Sequence, residues 1–311
     1  MGDAVLLLAH GTADSVDEIP EYLLRVTGGR QLPEAAVEEV RHRFSLIGGS
    51  PLTRLTLEQG RLLADELGTP VYVGMRNWKP YIADVVHGMR DDGITRAVVI
   101  CLAPQNSRTS VGLYRRAVFA AAEGALALNF LDDWADHPLL ADAFAERLRA
   151  VRDAFSAEAS SAVPVLFTTH SVPCRTVITA PRTDPNVKPD PPDPYPIEAK
   201  ITARLVAARI PGLTPEDWFF AFQSQGMSGG PWLGPTVEDT LTALRQQGVT
   251  NLIIQPIGFL CDHVEILYDI DIGFRNYGAN LGIAVRRPES LNDSRLLTLA
   301  LADLARHGLA S

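Results

Sequence analysis

Cysteine is scarce in this chain, and the three that occur, Cys101, Cys174 and Cys261, are odd in number, far apart and never in a CxxC pair. That excludes a disulfide framework and offers no clustered zinc or iron–sulfur motif, so free thiols are expected. Runs of positive charge are missing as well. With 28 Lys and Arg against 37 Asp and Glu, the formal net charge is −9, which argues against nucleic acid and against an anionic membrane surface as partners. No apolar run approaches the roughly 20 residues that span a bilayer. The opening MGDAVLLLAHG lacks the basic region and cleavage site of a signal peptide, so a cytoplasmic protein without a transmembrane segment is expected. Nucleotide-phosphate fingerprints are also absent. Neither glycine-rich stretch, Ile47 to Leu52 or Gly226 to Pro235, reads as GxGxxG or as a P-loop.

What is present is an alternation of apolar strand-length runs with helical periodicity. Ala4 to Ala9, Pro70 to Met75, Ala97 to Ala103 and Leu126 to Leu131 read as buried strands, and Thr53 to Leu67, Tyr81 to Met89, Val111 to Ala122 and Leu139 to Phe155 as the helices between and after them. The pattern then restarts. Val163 to Thr168, Trp218 to Gln223, Leu252 to Gly258 and Ile283 to Val285 read as strands, with helices over Ile197 to Ala208, Val237 to Gln247 and Ser294 to His307. Such alternation predicts an α/β fold of two Rossmann-like, doubly wound parallel-sheet halves, residues 1–160 and residues 161–311 with the closing helix. The 311 residues suffice for two cores. Cys174 to Pro196, rich in Pro and Asp, reads as an irregular loop.

The chemistry concentrates in FLCDHVEILYDID, Phe259 to Asp271, where one histidine and four acids fall within ten residues from Asp262. Asp262, Glu265 and Asp269 are spaced i, i+3, i+7, which on an α-helix places three carboxylates on one face. Like charges in a stripe call for a metal ion or mobile protons beside them. The same acids also suit a solvated helix start, where the dipole favours negative charge. Three histidines, His10, His170 and His263, each follow an apolar strand directly, and in a doubly wound sheet the carboxyl ends of the strands border the ligand crevice. Imidazole with carboxylate suits iron, cobalt or zinc. The same groups can move protons, histidine because it titrates near neutrality and glutamate because enclosure raises its pKa. The other four histidines sit beside charged or polar residues and read as surface.

Both glycine-rich stretches are consistent with tight turns, or with backbone brought close to a flat ligand between Phe44 and Trp232 as apolar walls. Beyond the third strand, PQNSRTSVGLYRR adds Asn106, Ser107 and Tyr114, donors that suit carboxylates on a ligand.

Five motifs in order, RFSLIGGSPL (43–52), APQNSRTS (103–110), TTHSVP (168–173), FQSQGMSGGPWLGP (222–235) and GFLCDHVEILYDID (258–271), resemble the ferrochelatases, which insert ferrous iron into a porphyrin in haem synthesis. The resemblance runs nearly end to end and implies two Rossmann-like halves with the porphyrin cleft between them. By position it implies that His170 and Glu265 are the paired catalytic and metal-site residues, with Fe(2+) as substrate. Arg43, Phe44, Ser50 and Tyr114 match porphyrin-lining positions of the branch that uses coproporphyrin III. His10 stands where that branch has an aromatic and is expected to reach the porphyrin. His263, Asp262 and Asp269 would support the site or carry protons. IGGSPL is one residue shorter than the family's motif, Thr27 replaces a propionate-binding Arg, and Gly273 interrupts the acidic row. No cysteine lies in the last helix, so no iron–sulfur cluster is expected, and a monomer is. Other readings on the same scaffold are a protoporphyrin IX ferrochelatase, a sirohydrochlorin chelatase and a haem-transfer protein.

Overall fold

The computed structural model of the protein describes residues 2–177, 191–226 and 230–310. Among them, the first half contains β1 (Gly2–Ala9), α1 (Ile19–Val26), α2 (Glu34–Ile47), α3 (Leu52–Leu67), β2 (Val71–Met75), α4 (Ile82–Asp91), β3 (Ile94–Cys101), α5 (Val111–Ala122), β4 (Ala127–Leu131) and α6 (Pro138–Ala159). The second contains β5 (Val165–His170), α7 (Cys174–Val177), α8 (Tyr195–Ala207), β6 (Trp218–Gln223), α9 (Val237–Gln246), β7 (Asn251–Pro256), α10 (Val264–Leu267), α11 (Arg275–Asn280), β8 (Ala284–Arg286) and α12 (Arg295–Ala310).

Two four-stranded sheets result, ordered β2-β1-β3-β4 and β6-β5-β7-β8, and every pairing is parallel. The expected doubly wound halves are thus present, each reversing direction beside its first strand. The cause is legible in β1, where Ala4 to Leu8 are fully buried. Parallel strands are covered on both faces and so carry continuous apolar runs. Alternation then sorts the side chains by face. Val5, Leu7 and Ala9 join a core with Phe144, Leu148, Val165, Phe167, Val206 and Leu301, while Ala4, Leu6 and Leu8 pack with Val86, Met89 and Val118 under α4 and α5. The first of these cores draws on both sheets. Each fully buried Leu or Val in it contributes roughly 1.5–3 kcal/mol, so the halves are joined by apolar packing as well as by the chain.

Four features depart from the sequence reading. The closing helix α12, expected with the second half, lies on the first sheet: the Gly308 carbonyl accepts from Asn129 at 2.9 Å, and a Cβ on Gly308 would meet Val98 at 2.7 Å. Helices α1 and α2 fill the stretch after His10, where charged residues mask the periodicity. They fold over Trp78 to bury Ile19, Tyr22, Leu23 and Phe44. The Cys174 to Pro196 loop begins with α7 and ends inside α8, and its residues 178–190 lie outside the described residues, as do 227–229 of the second glycine-rich stretch. Finally, the acidic segment is not one α-helix. It comprises the four-residue α10, a π-helical turn over Asp269–Phe274 and then α11.

Between α2 and α3, Gly49 has φ +96°, and a Cβ there would lie 2.4 Å from the Asp14 carbonyl oxygen. Only glycine can take this turn, and it holds the start of α3 against the loop after β1.

Candidate active site

Both sheets reverse strand order at their first strand, and ligands of such folds bind outside the carboxyl ends at that point. In the first half the segments there are His10 to Thr12 after β1 and Leu102 to Ser110 after β3. In the second they are His170 to Pro173 at the end of β5 and Gly258 to Glu265 after β7. All four border one cleft of about 1310 Å³, open solvent at its mouth included. Leu52, Val172, Trp232, Phe259, Leu260 and Val264 supply apolar walls, which suits a flat apolar ligand.

At the floor, Glu265 stands between two imidazoles. Its Oε1 lies 3.6 Å from His170 Nε2 and its Oε2 lies 3.6 Å from His263 Nε2. The other ring nitrogens face backbone carbonyls. His170 Nδ1 meets the Ser171 carbonyl and His263 Nδ1 meets the Cys261 carbonyl at 2.9 Å. A carbonyl only accepts, so each Nδ1 carries a proton and each ring turns its Nε2 toward Glu265. An Nε2 facing a carboxylate is favourably placed when a proton or a cation sits between them. Phe259 packs against both rings, with its centroid 4.6 Å from His263 and 6.4 Å from His170.

The backbone under these groups is tightly held. Tyr195 donates to the His170 carbonyl at 2.8 Å, and Gln223 donates from Nε2 to the Glu265 carbonyl at 3.0 Å. Gly258 permits the approach of β7 to β5, since a Cβ there would sit 2.1 Å from Thr169 Oγ1. Enclosure was expected to raise the Glu265 pKa. Burial does push it up, but the charges of His170 and His263 and the His263 hydrogen bond outweigh burial and bring it down to about 2. The acid that titrates nearer neutrality is Asp269, which burial and the Glu265 charge raise to about 6 against the hydrogen bond from Ser224.

His10 faces this group from the first half, its ring open to the cleft. Asn77 Nδ2 lies 3.0 Å from Nε2 and 3.3 Å from Nδ1, and the Tyr22 hydroxyl lies 3.4 Å from Nε2. Although solvent touches the ring, the wall around it is deep. Burial, helped by the Arg76 charge, lowers its pKa to about 4, so the ring is neutral at pH 7.

Of the other residues singled out from sequence, Ser107, Tyr114 and Trp232 line the cleft. Several do not. Phe44, expected as a wall, is 1% exposed in the core behind Tyr22. Ser50 accepts from the Thr12 hydroxyl at 2.7 Å and is buried behind it. Asn106 is held by its backbone, whose N–H donates to Glu198 at 2.5 Å. Arg43 lies beyond the floor, 3.9 Å from Asp269 and with its guanidinium 5.0 Å from the Tyr268 ring centroid. Asp262 precedes α10, and the extended His263 between them (φ −163°, ψ −177°) takes it off the helical face. Its carboxylate accepts from Ser290 at 2.7 Å and Asn292 at 2.9 Å and pairs with Arg287 at 3.3 Å. Those partners occupy it, and the three-carboxylate stripe does not form.

Sequence reasoning missed Tyr22, Arg76 and Tyr195, all of which line the cleft. Arg76 directly follows β2, so the strand-end rule applied to the histidines would have found it. Tyr22 gave no local signal, because it reaches the cleft only through its edge-on packing with Trp78, centroids 6.0 Å apart.

A family model described as ferrochelatase matches residues 2–309. The chain is 68% identical over 309 residues to a ferrochelatase of Acidobacterium capsulatum, covering 98% of this chain and 94% of that one. It is 32% identical over 317 residues to the coproporphyrin III ferrochelatase of Geobacillus thermodenitrificans, covering 98% and 96%. In fold alone it is similar to the sirohydrochlorin chelatase SirB of Bacillus subtilis subspecies spizizenii in complex with cobalt, with a TM-score of 0.57 at 11% identity over 99% and 95% of the two chains. With a whole-length family match and these relatives, the chain belongs to the ferrochelatase family, metal-inserting enzymes that place ferrous iron in a porphyrin.

Proposed function

We propose that the chain inserts ferrous iron into coproporphyrin III, with His170 taking up pyrrole protons and Glu265 positioning the iron. The observation that carries this reading is the ionised Glu265 set 3.6 Å from two Nε2 atoms. Two donors at that separation can share a first-row cation, whose bonds to nitrogen and oxygen run roughly 2.0–2.2 Å. They can equally pass a proton. Insertion replaces two pyrrole protons by the two charges of the iron, so the site must hold a cation and accept protons in turn. Its groups suit both tasks.

His263 orients Glu265, and Asp269 relays protons outward through Ser224, because a carboxyl that titrates near 6 both takes and releases a proton near neutrality. Asp262, occupied by Arg287 and two neutral donors, has no part in this path. The coproporphyrin preference is supported by the hydroxyl donors Ser107, Thr109, Ser110 and Tyr114 along one wall, which suit a substrate with four propionates. Anaerobic competition between coproporphyrin III and protoporphyrin IX with ferrous iron tests the preference. We expect a higher kcat/KM for coproporphyrin III; equal or better efficiency with protoporphyrin IX reverses the assignment.

A further inference from the structure

Arg76 is the single Lys or Arg among the described residues that line the cleft. Its position is firmly set. Met75 pairs with Ala9 at the end of the sheet, the Arg76 amide donates to the Ala9 carbonyl at 3.1 Å, and the Asn77 amide donates to the His10 carbonyl at 2.9 Å. The guanidinium is less provided for. Nε is sealed from solvent without a hydrogen-bond partner, and no carboxylate of the described residues pairs with it. Its neighbour is the face of the Tyr114 ring, 5.6 Å from the guanidinium carbon.

Other enclosed arginines are treated differently. Arg152 donates to the carbonyls of Val163, Pro211 and Gly212. Arg287 is held by the carboxylates of Asp271 and Asp262. A half-buried guanidinium with one sealed N–H and no anion or carbonyl beside it is unfavourably placed, so its counter-charge is expected to arrive with the ligand. Nε is sealed, whereas the terminal nitrogens are not, and the open space beside them is the cleft.

We infer that Arg76 is a substrate-binding residue that pairs, through its terminal nitrogens, with a carboxylate on the rim of the porphyrin. A porphyrin's macrocycle is apolar, and its peripheral acid chains are its anionic parts. The planar fork of arginine matches a carboxylate in two parallel hydrogen bonds, and the hydroxyls of Ser107, Ser110 and Tyr114 on the same wall provide neutral donors beside it. This deepens the proposed function and rests on it only in requiring a substrate that bears at least one carboxylate.

The test is equilibrium binding, read by porphyrin fluorescence without iron, so that turnover plays no part. Coproporphyrin III and its tetramethyl ester, in the same detergent, are titrated into wild type, Arg76→Met and Arg76→Lys. The acid is expected to bind Arg76→Met roughly ten- to hundredfold more weakly, as for loss of a hydrogen-bonded charge pair. The ester should bind wild type and Arg76→Met alike, and Arg76→Lys should recover part of the affinity for the acid. Equal losses for acid and ester would make Arg76 a packing residue of the wall and overturn the inference, as would no loss for either. Should wild type favour protoporphyrin IX in the iron assay, the coproporphyrin reading falls while this inference stands, because protoporphyrin IX also carries carboxylates.

Discussion

Asp269→Asn should stabilise the protein above about pH 6 and leave it unchanged near pH 4, a pH dependence set by the carboxyl's linkage to folding. Asp269 is 15% exposed at its side chain, and its pKa is raised from an ordinary 3.8 to about 6. The native state therefore binds this proton more tightly than the unfolded chain does. Stability is present while the carboxyl is protonated and is lost as pH rises from 3.8 through about 6, after which the penalty is constant. The rise from 3.8 to about 6 corresponds to roughly 3 kcal/mol. Partial solvation of the site and loss of the long contact to the half-exposed Arg43 reduce the gain from Asn to about 1–3 kcal/mol. Asn keeps an acceptor for the Ser224 hydroxyl. Over 311 residues the unfolding entropy is about 0.65 kcal/mol/K, so Tm should rise by roughly 2–5 °C. Thermal denaturation of both proteins from about pH 4.5 to pH 8 reads it, since the difference should grow across that interval. A constant difference, or a variant less stable than wild type at the alkaline end, would refute the reasoning. The same variant should lose the step near pH 6 in the pH profile of iron insertion.

His170→Ala and Glu265→Gln are each expected to abolish iron insertion while keeping porphyrin affinity within about tenfold, or roughly 1.4 kcal/mol, because groups that act as a unit fail together. Retention of more than about a tenth of wild-type turnover by either variant removes that residue from its proposed role. His10, neutral and open to the cleft, is expected to become an axial ligand of the iron in the product porphyrin, with His10→Ala shifting the Soret band and the paramagnetic resonance of the complex. Unchanged spectra would assign the ring instead to its contacts with Asn77 and Tyr22.

By itself the sequence determined the two-sheet architecture and the address of the site. Parallel strands buried on both faces must be continuous apolar runs, so β1, β3, β5 and β7 were visible, and the residues at the carboxyl end of each had to reach the crevice. His10, Ser107, His170 and Glu265 were found in that way. Tertiary structure decided what spacing could not express. An i, i+3, i+7 interval places Asp262 with Glu265 and Asp269 only if the backbone is α-helical throughout, and the extended His263 and the π turn at Asp269 break that condition. Phe44, expected at the cleft, is packed behind Tyr22, because the packing of α1 and α2 over Trp78 sets which of the two buried rings borders the cleft. The orientation of the His170 and His263 rings depends on the carbonyls that lie beside Nδ1 in the folded chain. The charge state of Glu265 depends in turn on two imidazoles, one of them nearly a hundred residues away in sequence, since Coulomb interactions act through space and only folding sets that distance.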